Sequence, residues 1–222
     1  MFSQALLSSL IILLTAAIPA ALAQNQPLPY PNWKRLSDAT WSLKGKAQQE
    51  QFEKALQAAR ASQQPDHYPQ SEVLFEMGVA AFNDNQLGTA EQYFAQAAAL
   101  KKEALDIMLS ESIRQGRTEM YLPCYSNKAD EKAGKIHNLA NCLAWLAKTQ
   151  AGQNHFQQAA DTFEEALKTM RSNARAEMEI IILPDTLIEY AHTLRALNHP
   201  EQAKKCEDEA RRLIKNRRML LD

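Results

Sequence analysis

One pattern of small and aromatic residues occurs twice in this chain and restricts its fold more than any other feature. The pattern is a small residue, an aromatic residue four positions on, and a small residue three positions further. It occurs as Ala90, Phe94 and Ala97, and again 69 residues later as Ala159, Phe163 and Ala166. Residues at these spacings lie on one face of an α-helix. Repetition of a helical face indicates stacked helical repeats, a kind of fold that usually binds other molecules.

A second stripe recurs in the helix before each of these alanines. Two large residues and one small residue stand 16, 13 and 12 positions before the alanine, and a third copy of the arrangement follows the first two. The copies are Leu74, Met77 and Gly78 before Ala90, Leu143, Leu146 and Ala147 before Ala159, and Leu187, Tyr190 and Ala191 before Ala203. This spacing is typical of an amphipathic helix. We expect each pair of helices to form a hairpin that is closest at the small residue.

Turn-forming residues separate the two helices of each predicted hairpin. They occur at 83–85 with Gly88, at 152–154 and at 198–200. Asn and Gly suit a helix C-terminus, and Pro suits the first turn of the helix that follows. The third copy has Glu207 where the others have Phe, as expected for a terminal repeat whose outer face meets water.

A looser fourth copy precedes the other three. Phe52 and Ala55 lie 42 residues before Phe94 and Ala97, and Gln48 stands where the first alanine belongs. The chain therefore contains about four hairpins.

These motifs resemble the tetratricopeptide repeat, in which Leu/Trp-x2-Leu-Gly-x2-small is followed by Ala-x3-Phe-x2-Ala. The unit spacings of 42 and 44 residues exceed the usual length of roughly 34 and are similar to the longer kinesin-light-chain-like variety, as is the stretch QQPDHYPQSEVLFEMG. The resemblance implies an all-α α-solenoid of helical hairpins in a right-handed superhelix. Its units would lie at about 33–64, 71–100, 136–172 and 184–216. Residues 101–135 depart from the pattern, and we expect an irregular insertion there that extends one helix, turns and starts another.

The N-terminus resembles a secretory signal peptide. Residues 2–23 contain no charged side chain, residues 6–14 form an apolar core, and residues 21–23 fit a small-x-small cleavage site. We expect cleavage after Ala23, a proline-rich linker at 24–32, and a periplasmic or secreted protein. The alternative is an uncleaved N-terminal membrane anchor.

The sequence offers no motif for catalysis, and we predict no enzymatic activity, no cofactor and no metal site. Its His and Cys spacings match no metal motif, and no nucleophile elbow, P-loop or dinucleotide fingerprint occurs. A formal net charge of −1 does not point to nucleic acid. We expect Cys142 and Cys206 to be free thiols inside helices and Cys124 to lie in a loop, and a single disulfide bridge that involves Cys124 stays open as the alternative.

In tetratricopeptide arrays, the first helices of successive hairpins line a concave groove in which ligands lie. The resemblance places groove residues one or two positions off the core stripe. They are Phe75, Glu76, Val79, Phe82, Asn141, Trp145, Lys148, His192 and Arg195, with Asp185 and Glu189 beside the last two. Two interpretations of the aromatic residues stay open: an exposed peptide anchor, or packing between hairpins. No carboxylate clamp of the chaperone type is predicted, because Glu76 and Val79 occupy its region.

These observations favour a non-enzymatic scaffold or adaptor that binds a protein or peptide segment outside the cytoplasm. Two alternatives belong to other classes. One is a structural protein that self-associates, and the other is an accessory subunit of an envelope complex, anchored in the membrane by an uncleaved N-terminus.

Overall fold

The computed structural model describes residues 31–62, 67–114, 127–172 and 182–221. Within these ranges the chain forms eight α-helices and no strand. They are α1 (Asn32–Thr40), α2 (Gly45–Ala61), α3 (Tyr68–Asn83), α4 (Leu87–Arg114), α5 (Asn127–Gly152), α6 (Phe156–Arg171), α7 (Leu183–Ala196) and α8 (Pro200–Leu221). The expected signal peptide, nearly all of the expected linker and Cys124 lie outside the described residues. None of the described helices is both long and apolar enough to cross a lipid bilayer.

The helices form four hairpins that stack in chain order. Each hairpin pairs an odd-numbered helix with the even-numbered helix after it, and each second helix also contacts the first helix of the next hairpin. The first helices of neighbouring hairpins touch as well, α1 against α3 and α5 against α7. The fold class predicted from the repeats, an all-α solenoid of helical hairpins, is therefore confirmed.

The turns inside the last three hairpins share one backbone geometry. An asparagine in the left-handed region occupies the same place in each, with φ of 58° at Asn85, 64° at Asn154 and 61° at Asn198. The next residue donates its N–H to a carbonyl five positions back, over 2.8 Å in the first turn and 2.9 Å in the other two. This is the pattern of a Schellman helix end. Asparagine supplies the positive φ, whereas Gly88, expected in the first turn, lies inside α4.

The repeated alanine and phenylalanine positions form the buried core. Phe94 and Phe163 are completely or almost completely buried, and so are the alanines of both copies. A β-carbon on Gly78 would lie 2.7 Å from the Phe94 ring. This contact confirms that the paired helices approach closely at the small residue of the stripe.

The first hairpin keeps the buried Phe and the second Ala of the repeat but has Gln48 in place of the first Ala. Phe52 and Ala55 are buried, and the Gln48 side chain donates a 3.3 Å hydrogen bond to the Thr40 carbonyl. Glutamine at the alanine position therefore ties α2 to the end of α1.

In the range 101–135, where we expect one helix to extend and another to start, residues 101–114 continue α4 and residues 127–135 belong to α5. Most of the expected turn lies outside the described residues. Helix α4 has 28 residues and α5 has 26, compared with 16 in α3 and 16 in α6. The extended helices contact each other, and Ala104, Ala133 and Ile136 are buried. Burial of these apolar side chains accounts for the continuation of helix beyond the repeat length.

The buried side chains divide into two apolar clusters that meet along α5. The first runs from Trp33 to α5, where it includes Leu143, and the second runs from α5, where it includes Ala147, to Ala210 of α8. Helix α5 thus presents one face to each cluster.

Candidate functional site

A cavity of about 290 Å³ opens between α5 and α7, the first helices of the third and fourth hairpins. This volume is at the lower limit of the roughly 300–1,000 Å³ typical of small-molecule sites. Its volume suits one or two side chains. The lining residues are Asn141, Ala144, Trp145, Lys148, Phe163, Ile182, Asp185, Thr186 and Glu189.

Helical periodicity explains why these side chains converge. On α5, Asn141, Trp145 and Lys148 are four and three positions apart, so they lie on one face. On α7, Asp185 and Glu189 are separated by one helical turn. The cavity therefore contains three of the predicted groove residues and the two acidic residues predicted beside them.

Lys148 links three helices at one end of the cavity. Its ammonium lies 3.0 Å from Oε1 of Glu189 on α7. The same nitrogen lies 5.7 Å from the ring centre of Phe82 on α3 and 5.6 Å from that of Trp145. The Lys148 and Glu189 side chains are 40% and 43% exposed, so the ion pair contributes little to stability and opens at small cost.

Trp145 is held in place by rings of the second hairpin. It stacks on Phe94 with ring centres 5.8 Å apart, and Phe82 approaches it edge-on at 5.3 Å. The ring centre of Phe75 lies 5.6 Å from that of Phe94. Phe82 thus packs against the next hairpin, as in the second interpretation of the aromatic residues. Phe75 packs within its own hairpin, and Trp145 also lines the cavity.

Glu76 and Val79 lie away from the cavity. The Glu76 carboxylate accepts a 2.8 Å hydrogen bond from Lys34 and another from Ser37, which connects α3 to α1. Partial burial opposes the charge of Lys34, but its hydrogen bonds to Asp38 and Glu76 raise its pKa overall. Val79 is half-buried and packs against the first apolar cluster.

His192 and Arg195 are exposed on α7 and do not line the cavity. Arg195 pairs with Glu207 of α8, and this hydrogen bond lowers the pKa of the Glu207 carboxyl. Glutamate at the phenylalanine position of the last repeat therefore bonds the two helices of the terminal hairpin to each other.

Sequence reasoning missed four lining residues: Ala144, Phe163, Ile182 and Thr186. Phe163 belongs to the core pattern, and nothing in that pattern shows that it also borders a cavity. Thr186 is buried, and its hydroxyl donates a 2.9 Å hydrogen bond to the Ile182 carbonyl. Whether these four residues line a cavity depends on how the fourth hairpin packs against the third.

The described part of the chain contains no group of three or more His, Cys, Asp or Glu residues that could hold a metal ion. Cys142 and Cys206 are free thiols. The Cys142 thiol is buried and donates a 3.3 Å hydrogen bond to the Phe94 carbonyl. Burial raises the pKa of this thiol to about 12. Since the thiolate is the reactive form, Cys142 is inert at neutral pH.

No protein-family model matches this chain, and no curated protein matches its sequence. Among solved structures, the chain is similar to BtubC (BKLC) from P. vanneervenii at 14% identity and a TM-score of 0.36, over 78% of this chain and 74% of that one. MamA from MSR-1 matches at 13% identity and a TM-score of 0.29, over 84% and 99%. A putative kinesin light chain of Podosopora anserina with nearly identical TPR-like repeats matches at 13% identity and 0.29, over 85% and 97%. The assignment of four stacked hairpins depends on the helices and contacts of this chain and not on these similarities.

Proposed function

We propose that this protein is a scaffold that binds a segment of another protein, or a peptide, across α5 and α7. The observation that carries the proposal is the cavity between these helices. It combines the ring of Trp145 with a cation, two carboxylates and the amide of Asn141 on a helical frame. An aromatic surface with a few convergent polar groups is typical of a binding site.

The packing of Trp145 favours tight recognition. Its ring is already fixed by Phe94 and Phe82, so a ligand need not order it. Preorganised aromatic side chains concentrate binding energy because little conformational entropy is lost on association.

The proposal is binding without catalysis, cofactor or metal, and it places this binding outside the cytoplasm. Support for export comes from the uncharged, apolar residues 2–23 and the small residues at 21–23. Mass spectrometry of the purified protein tests that part: a chain beginning at Gln24 supports export, and one that retains residues 1–23 contradicts cleavage.

The binding itself is tested by selecting from a library of random peptides against the full-length chain. Selected peptides are then measured by calorimetry against Trp145→Ala and Asn141→Ala. We expect affinity to fall about tenfold or more in the first variant and less in the second. Trp41→Ala is the control, because Trp41 is 46% exposed and lies in the turn after α1, far along the chain from the cavity.

Peptides that bind both cavity variants as well as the parent would contradict the proposed site. A molar mass that rises with protein concentration in light scattering, without peptide binding, would instead support a self-associating structural role.

A further inference from the structure

We propose that the cavity between α5 and α7 receives the side chain of an arginine from the bound segment. This inference rests on the proposed function and specifies the chemistry of the same site. The arginine stem lies against the apolar lining, and the guanidinium donates hydrogen bonds to Asp185 and to the amide oxygen of Asn141.

The charged side chains that line the cavity favour a cationic ligand group. Among the residues that the structure describes, the cavity is lined by one cation, Lys148, and by two carboxylates, Asp185 and Glu189. Lys148 pairs with Glu189, whereas no ion pair to the exposed carboxylate of Asp185 occurs among the described residues. The described lining residues thus have a net charge of about −1, which attracts a cation and repels a carboxylate.

The positions of these groups along the helices show where the cation lies. Because helices alternate in direction, α5 and α7 run parallel, and the Lys148–Glu189 pair shows which turns of the two helices lie side by side. Asn141 comes seven residues before Lys148, about two turns or roughly 10 Å along α5. Asp185 comes one turn before Glu189. The Asp185–Asn141 end of the cavity is therefore separated from the ammonium of Lys148.

The remaining lining suits the stem of an arginine. Ala144, Ile182 and the ring of Trp145 provide apolar surface for three methylene groups. The guanidinium also carries donors in a fork, so it bonds to a carboxylate and an amide oxygen at once, which a lysine ammonium does with poorer geometry.

A small probe tests this directly. The isotope-labelled full-length chain is titrated with N-acetyl-arginine amide and followed by NMR at the Trp145 indole N–H and the Asn141 side-chain amide. N-acetyl-citrulline amide has nearly the same shape without the charge, and N-acetyl-glutamate amide has the opposite charge. We expect saturable shifts at millimolar arginine amide, binding about fivefold weaker for citrulline, and none for glutamate. The arginine preference should decrease as ionic strength rises.

A matched pair of variants isolates the carboxylate. Asp185→Asn should bring arginine and citrulline within about twofold of each other, whereas Glu201→Gln should leave the fivefold preference intact. Asp185 and Glu201 both follow a proline in the first turn of a helix, so each variant loses a similar helix-start charge. Equal binding of arginine and citrulline by the parent, or an unchanged preference in Asp185→Asn, would overturn the inference.

The two proposals fail in distinguishable ways. Peptides that need Trp145 but show no arginine preference would leave the scaffold function standing and reject the arginine site. Arginine amide that binds at Asp185 when no peptide is selected would support the cation site and count against the scaffold function.

Discussion

The side chain of Gln153 donates a 2.6 Å hydrogen bond to the carboxylate of Glu91, which joins the turn of the third hairpin to the second helix of the second. Gln150 and Gln158 each donate to the same carboxylate over 3.3 Å. Three amides from one hairpin thus converge on a carboxylate of its neighbour. These bonds connect the two hairpins through polar contacts in addition to their apolar packing.

We expect Glu91→Ala to lower the free energy of unfolding by about 1–3 kcal/mol, because three donors lose a charged acceptor and one of them, on Gln150, is buried. Urea unfolding followed by circular dichroism measures the change. Glu103→Ala, at an exposed position of the same helix, is the control and should change stability by less than about 0.5 kcal/mol. A loss no larger than that of the control would show that the amide cluster is dispensable.

Two glycines with opposite surroundings give a second prediction. Gly78→Ala places a β-carbon 2.7 Å from the buried ring of Phe94, whereas Gly134→Ala meets nothing within 4 Å. We expect the first substitution to destabilise the protein by about 1–3 kcal/mol through overpacking. The second should stabilise it by up to about 1 kcal/mol through helix propensity. Thermal melting of the two variants tests this contrast, and changes of the same sign in both would contradict the proposed close approach.

A charge on the repeated face should abolish folding of the array. Ala90 and Ala159 are fully buried, and glutamate at either site would bury an unpaired carboxylate at a cost of several kcal/mol. We expect loss of the cooperative melting transition in Ala90→Glu and in Ala159→Glu. Ala95→Glu, on the exposed face of the same helix as Ala90, should melt like the parent. A melting temperature within a degree or two of the parent in the buried variants would refute the assigned register.

Buried acidic protons make the protein less stable in alkali. Burial raises the pKa of Cys142 from 9.0 to about 12, and burial together with the hydrogen bond to Glu164 raises the pKa of the Tyr190 hydroxyl. Above about pH 9 the unfolded chain therefore releases protons that the folded chain retains. The stabilisation from these groups is complete below the unfolded pKa of each and is lost as pH rises towards the folded value.

Urea midpoints measured at increasing pH test this dependence. We expect the midpoint to fall above about pH 9, and to fall less steeply in Cys142→Ala, which lacks the thiol. Thiol-specific reagents should label Cys142 only after unfolding. Rapid labelling of Cys142 in the folded chain would contradict its burial.

The sequence predicted features that depend on contacts between neighbours in the chain. The faces around Phe94 and Phe163 and the asparagine of each turn recur in the sequence because each hairpin must bury the same stripe and reverse in the same way. Gly78 was identified as a point of close approach for that reason. Each of these features is decided within one hairpin.

Features that depend on the angle between hairpins could not be predicted in the same way. Phe82 is one of the predicted groove residues, and its ring packs edge-on against Trp145 of the next hairpin. Glu76 is bound by Lys34 of the preceding hairpin, and this partner lies 42 residues away. Phe163 borders the cavity because α7 lies beside it. Such contacts are set by the stacking of whole hairpins, which helical periodicity does not report.

Two apolar clusters meet along α5, and this division determines which helices a ligand in the cavity would stabilise. A segment bound across α5 and α7 would contact the third and the fourth hairpin at once. Binding would therefore stabilise the packing of the last hairpin on the third. The backbone amides of α7 and α8 would then exchange with deuterium more slowly in the complex, while the amides of α1 and α2 would keep their exchange rates. Ligand binding would thus stabilise one end of the array and leave the other end unchanged.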